Sequence, residues 1–290
     1  MRVGISTPVV MQLPGVSSDW EADAGVDDLI EIACAADRLG FDHLTCAEHV
    51  AVPTDRAEGR GLTYWDPSAT LAFLAAHTRR IRLVTSVLVL GYHHPLQIAK
   101  RYGTLDRLSG GRLVLGVGVG SLQEEFDLLG AQFADRGARA EESLAALRES
   151  LSNPRPAFHG RFFDYDSLAV QPCAVQPHLP IWVGGRTMRS LRRAVRLADG
   201  WMPFGRSAAE LADLLARVDL PAGFEVVLPT GHAVDPIGDP AATGRRLRRL
   251  HAAGATAVTC SVHAESARHY CEQLAVLRTI ADTVKEHVDD

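Results

Sequence analysis

The chain has 290 residues, 47% of them hydrophobic and 22% charged, with a formal net charge of -5. That length can bury a substantial core, and the mild acidity gives no electrostatic footprint for nucleic acid or an anionic membrane, so the expected partner is a small molecule. Cys34, Cys46, Cys173, Cys260 and Cys271 lack C-x-x-C spacing, which suggests neither a zinc site nor a disulfide framework, and no apolar run reaches the roughly 18 residues of a membrane span.

MRVGISTPVV runs straight into a strand at Val3 to Ser6, with no charged leader or apolar h-region, so a cytoplasmic location is expected. Val26 to Leu39 reads as a helix with Leu29, Ala33, Ala36 and Leu39 on one face and Gly40 as its stop. Phe41 to Cys46 is the second strand. A loop from Ala47 to Trp65 then leads to Asp66-Pro67, an N-cap acceptor followed by the proline that suits a first helical position, and the helix runs to His77.

Ile81 to Val89 is rich in Val, Leu and Ile, as in a strand buried on both faces of a parallel sheet. The period then changes. Ile98, Tyr102, Leu105 and Leu108 fall three or four apart, which predicts a helix with an apolar face and with Lys100, Arg101, Asp106 and Arg107 mostly towards solvent. Ser109-Gly110-Gly111 ends it. Arg112 to Val119 is the next strand, and Gly116, Gly118 and Gly120 remove side chains near its end, where a close approach to the backbone is expected. Strand, helix and strand make one βαβ unit, and ligands sit beyond the carboxyl ends of such strands.

Arg136 to Leu151 is an Ala- and Glu-rich helix. Residues 153–180 break the alternation with five prolines, and Phe158 to Phe163 predicts a hairpin turning near His159-Gly160, an insertion of the functional or lid type. Ile181 to Val183 resumes the sheet, a helix with Leu191, Ala194, Val195 and Ala198 follows, and further strands are expected at 198–203, 224–228 and 257–260, before a last helix from Ala264 towards Val284. Eight strand–helix units without a linker predict one α/β domain over residues 1–290, a (β/α)8 TIM barrel; a doubly wound open sheet is the rival.

The stretch TSVLVLGYHHPLQIAKRYGTLDRLSGGRLVLGVGVGSLQEEFDLLG resembles the central motif of the luciferase-like monooxygenase superfamily, and within it the branch that uses the deazaflavin F420. Glu124 and Glu125 follow at a helix start, and Glu124, with Gly118 and Gly120, is expected to meet the cofactor. The resemblance implies a non-proline cis peptide between Ser86 and Val87 behind the deazaflavin ring and a phosphate-holding loop at Gly184, Gly185, Arg186 and Thr187. The last of these also follows from position, since a strand-to-helix turn presents free amides and the positive helix end. It further implies that Glu48-His49 is an acid–histidine pair with the imidazole near the reactive carbon of the ring, able to move a proton. Tyr64, Trp65, His93 and His232 fall on carboxyl-end loops and are expected to line a substrate pocket.

Two features depart from the F420 sugar-phosphate dehydrogenases of that branch. Ser121 stands where their catalytic glutamate aligns, and Lys100 and Lys285 are the only lysines, so sugar-phosphate oxidation is not expected. Val119 replaces the phosphate-binding arginine of FMN-using luciferases, which tilts the cofactor from FMN to F420. The implied function is an F420-dependent oxidoreductase passing a hydride to or from a small organic substrate, expected as a homodimer like related proteins. An FMN-dependent monooxygenase and a non-catalytic flavin-binding barrel are the alternatives. No metal is expected, because Ser6-Thr7-Pro8 offers no ligand pair and the adjacent His93 and His94 cannot both face one ion from a regular strand.

Overall fold

The computed structural model describes residues 1–289, and in it the strand–helix alternation closes on itself. Among the described residues the ring comprises β1 (Arg2–Ser6), β2 (His43–Cys46), β3 (Arg82–Thr85), β4 (Leu113–Gly118), β5 (Ile181–Gly184), β6 (Gly200–Met202), β7 (Glu225–Pro229) and β8 (Ala257–Cys260). Each pairs in parallel with the next, and β8 pairs back onto β1 with Val258 opposite Val3. Outside lie α1 (Val26–Arg38), α2 (Pro67–His77), α3 (Pro95–Ser109), α4 (Arg136–Ser150), α5 (Met188–Leu197), α6 (Ala208–Leu215), α7 (Pro240–Ala252) and α8 (Ala267–Asp289). This is the (β/α)8 barrel; a closed ring has no edge strands, so the open-sheet alternative is ruled out.

The strand period of two divides the core. Leu44, Leu83, Leu115, Val183, Val226 and Val258 face the helices in the large outer cluster, while Val84, Val114, Trp182, Met202, Val227 and Ala257 form a separate cluster within the ring. Glycines make room for the bulky interior side chains. A Cβ at Gly4 would lie 2.4 Å from the His43 ring, and one at Gly200 would lie 2.6 Å from Trp182.

The floor of the ring is charged. Asp42 receives Arg82 at 2.5 Å and His43 Nδ1 at 2.7 Å, Arg82 also meets Glu225 at 3.1 Å, and Arg2 bonds Glu225 from the side. His43 Nε2 reaches Thr259 Oγ1 at 2.8 Å. Burial alone would raise the Asp42 carboxyl, but the His43 hydrogen bond and the nearby charges of His43 and Arg82 outweigh it and hold it well below the ordinary carboxylate range.

Several elements differ from expectation. The strand predicted over Ile81 to Val89 stops at Thr85 and resumes only as Leu88–Val89, and the Ser86–Val87 peptide between them is cis, as the resemblance implies. The loop over 47–65 is partly ordered, with a helical turn at Ala57–Arg60 and a strand at Thr63–Tyr64 paired to Met11–Gln12. The hairpin in the insertion pairs Phe158 with Tyr165 and His159 with Asp164, so it turns through 160–163, one step later than the glycine signal indicates.

On α3, Asp106 is fully buried and Leu108 is 67% exposed, the reverse of the amphipathic reading. Asp106 accepts from the amides of Val175 and Gln176 at 2.9 and 3.0 Å and from the Gln176 side chain at 2.7 Å. The insertion therefore covers a helix face that its charge alone assigns to solvent.

Candidate active site

The carboxyl ends of β2, β3 and β4 bring the candidate groups together. Glu48 and His49 follow β2 directly and take different partners. His49 Nδ1 lies 2.7 Å from Glu125 Oε2. Glu48 turns the other way, accepts the Val89 amide at 2.7 Å and meets His93 Nε2 at 2.7 Å. The expected acid–histidine pair is thus replaced by two crossed pairs, His49 with Glu125 and His93 with Glu48.

Glu125 sits on the short helix Gln123–Leu128 and is fully buried. Besides His49, the Tyr92 hydroxyl donates to its Oε2 at 2.7 Å, and the amides of Val50 and Ala51 donate to Oε1 at 2.6 and 3.2 Å. Burial pushes this carboxyl up, but the His49 and Tyr92 hydrogen bonds, the His49 charge and the Ala51 amide together bring it below its ordinary value. Burial and the adjacent carboxylates drive the Tyr92 phenol far above its ordinary value, so it stays a donor. Because a carboxylate can only accept, the His49 proton sits on Nδ1, which leaves Nε2 to give or take a proton. The side chain is 17% exposed, and its ring packs edge-on to Tyr64 with centroids 4.6 Å apart.

Of the two acids that the sequence offers at this helix start, Glu124, the one expected to meet the cofactor, is 43% exposed and bonds Arg56 at 2.7 Å on the surface. The helical phase distinguishes the neighbours: Leu122, Glu125 and Phe126 fall at i, i+3 and i+4 and are all buried, so Glu125 takes the inward place. That spacing was the available signal. Nothing local in the sequence pointed to Tyr92.

The glycines at the end of β4 also need correction. A Cβ at Gly118 would meet Val87 at 2.6 Å, one at Gly120 would meet Phe126 at 2.4 Å, and one at Gly184 would meet Val87 at 2.7 Å. The close approach inferred at Gly118 and Gly120 is therefore made by the chain's own side chains. Val87 stands between β4 and β5 as an apolar wall of the mouth.

Gly184 closes β5, Gly185 has φ 128°, and Thr187 caps α5, its hydroxyl accepting the Ser190 amide at 3.3 Å. Arg186 is exposed beside this first turn. Of the remaining expected pocket residues, Trp65 packs against the outer core and its carbonyl takes the Cys46 thiol at 3.7 Å, and His232 is exposed after β7. Burial raises the Cys46 and Cys260 thiols to about 12, and all five cysteines are free.

A flavin or deazaflavin fits these residues. Val87 offers an apolar surface at the mouth, the first turn of α5 with Arg186 offers amides and a cation for a phosphate, and His49 offers a held imidazole.

The sequence model for luciferase-like monooxygenases matches residues 1–223. The chain belongs to that family. An uncharacterised Mycobacterium tuberculosis protein is 35% identical over 201 residues, 65% of this chain and 69% of the relative. The F420-dependent glucose-6-phosphate dehydrogenase of Nakamurella multipartita is 30% identical over 235 residues, 78% of this chain and 66% of its own length. In fold, this luciferase-like barrel is similar to the FMN-bound oxygenating constituent of 3,6-diketocamphane monooxygenase from Pseudomonas putida, with a TM-score of 0.72, 15% identity and 98% of each chain covered. The sequence relative is thus named as F420-dependent and the fold neighbour as FMN-bound. No helix among the described residues is long and apolar enough to cross a membrane.

Proposed function

We propose that this luciferase-like barrel is an F420-dependent oxidoreductase that passes a hydride between the deazaflavin and a small organic substrate. The observation that carries the reading is the His49–Glu125 pair at the carboxyl end of the barrel, a proton-handling group held by a buried carboxylate where such barrels keep their chemistry. The deazaflavin, when bound, supplies the hydride chemistry. Arg186, with the first turn of α5, would hold its phosphate, and Val87 would back its ring.

Within the chain, His49 Nε2 gives or takes the proton that accompanies hydride transfer, while Glu125 fixes the ring and balances its charge. Tyr92 and the amides of Val50 and Ala51 keep Glu125 in place. Ser121 and the scarcity of lysine argue against a sugar phosphate as substrate. Lys100 is tied to the Gln171 carbonyl on the outer insertion.

Val119 in place of the FMN-type arginine, together with the F420-dependent relative, supports the deazaflavin. Parallel titration of the purified protein with F420 and with FMN tests the choice. F420 is expected to bind more tightly; an FMN preference of tenfold or more, about 1.4 kcal/mol, would replace this reading with a flavin-dependent monooxygenase. Binding without turnover of any enone, nitroaromatic or alcohol would favour a non-catalytic carrier.

A further inference from the structure

The turn that carries Tyr92 and His93 has a second side. There, a cleft of about 580 Å³ opens between this turn, the chain just beyond the Gln123–Leu128 helix, α4 and the hairpin of the insertion. Its volume lies within the range of small-molecule sites, roughly 300 to 1,000 Å³. Arg139, His94, Gln132, Tyr92, Leu129 and Phe163 are among its walls. No acidic residue lines it.

Arg139 is half-buried and makes no ion pair among the described residues. Its guanidinium lies 5.1 Å from the ring centroids of Phe162 and Phe163, which holds the planar fork in place. Glu142, one turn along α4, is engaged elsewhere, accepting the amides of Arg161, Phe162 and Phe163 at 3.0, 2.6 and 2.8 Å.

His94 caps α3 by accepting the Leu96 amide on Nδ1 at 3.2 Å. The neutral ring therefore carries its proton on Nε2 as a donor. Partial burial and the Arg139 charge both lower the His94 pKa, which favours the neutral ring. His93 also lines the cleft, with its Nε2 turned to Glu48. Beside it the cleft offers one permanent cation, two donors in His94 and Gln132, and aromatic or aliphatic walls from Tyr92, Phe163 and Leu129.

We infer that this cleft is a second ligand site, which binds an organic carboxylate with a flat apolar body. A single guanidinium matches a monoanion better than a dianionic phosphate, and its fork matches the planar carboxylate in a bidentate contact. The apolar body lies against Phe163 and Leu129. The same occupant touches the turn whose other polar atoms hold Glu48 and Glu125, so the cleft adjoins the proposed proton-handling pair without sharing its residues for anion binding.

Benzoate, benzamide and inorganic phosphate are the probes, titrated calorimetrically into the 290-residue protein. Benzoate is expected to bind, with benzamide and phosphate each at least about tenfold weaker, the size of one lost charge-assisted contact. Arg139→Gln should weaken benzoate by about tenfold or more, and His94→Asn, which retains a helix cap, should weaken it by a smaller factor. Arg268→Gln, at an exposed position on α8, should leave it unchanged, and circular dichroism confirms that each variant is folded. No benzoate binding up to about 10 mM, equal affinity for benzamide, tighter binding of phosphate, or undiminished benzoate binding in folded Arg139→Gln would overturn the assignment.

Discussion

His49 Nδ1 and Glu125 Oε2, 76 positions apart in the chain, meet at 2.7 Å across the carboxyl ends of β2 and β4. The carboxylate is fully buried and the imidazole partly open, so one end of the pair is fixed and the other is reachable. The asymmetry suits a group that exchanges protons with a ligand while keeping its ring orientation.

Removing either member should therefore affect turnover more than binding. His49→Gln is expected to reduce turnover by about 10² to 10⁴-fold, with cofactor affinity nearly unchanged. Glu125→Gln should also lose turnover, and the double variant should lose less than the product of the two single losses, because the residues act as a unit. Steady-state kinetics with a screened substrate, alongside cofactor titration, makes the measurement. Fully multiplicative losses would show that the pair does not act together.

The phosphate loop is testable without any substrate. Arg186→Ala should weaken the bound cofactor by roughly 1.5 to 3 kcal/mol, the worth of a charge-assisted contact. Equilibrium titration of the folded variant reads this directly. Unchanged affinity would place the phosphate away from α5.

Val87 between Gly118 and Gly184 gives a packing test. Gly184→Ala puts a methyl 2.7 Å from Val87 and should destabilise the protein by about 1 to 3 kcal/mol, as overpacking does. Adding Val87→Ala should recover part of that loss. Urea unfolding of the two single variants and the double variant measures the coupling, and simple additivity would mean that Val87 does not occupy the space.

The charged floor sets a pH dependence. Asp42 is held below its ordinary value in the folded protein, so its stabilisation is fully present above the unfolded carboxylate range near pH 4 and fades as pH falls through the lowered value. Asp42→Asn should cost about 3 to 5 kcal/mol at pH 7, the usual loss when one partner of a buried ion pair is removed. The gap in melting temperature between wild type and variant should narrow steadily below pH 4. A gap that persists undiminished at pH 2 would remove Asp42 from the acid response.

The amino-acid sequence by itself determined the barrel, because strand and helix periods are local properties and residues such as Leu83 and Val84 already alternate between two buried environments. It also determined the turn chemistry that starts α2 at Asp66-Pro67 and stops α3 at Gly110, where one or two residues suffice. Through the family resemblance it located the Ser86–Val87 peptide and the end of β2. Only the tertiary structure decided the partners. His49 could take Glu48, Glu124 or Glu125 as far as spacing shows, and ring closure, which brings the β2 and β4 loops together, selects Glu125. Asp106 reads as a solvent-facing acid until the insertion covers it with the amides of Val175 and Gln176. Gly118 reads as space for a close approach until Val87 fills it. In each case the deciding contact joins segments far apart in sequence, which a local pattern cannot encode.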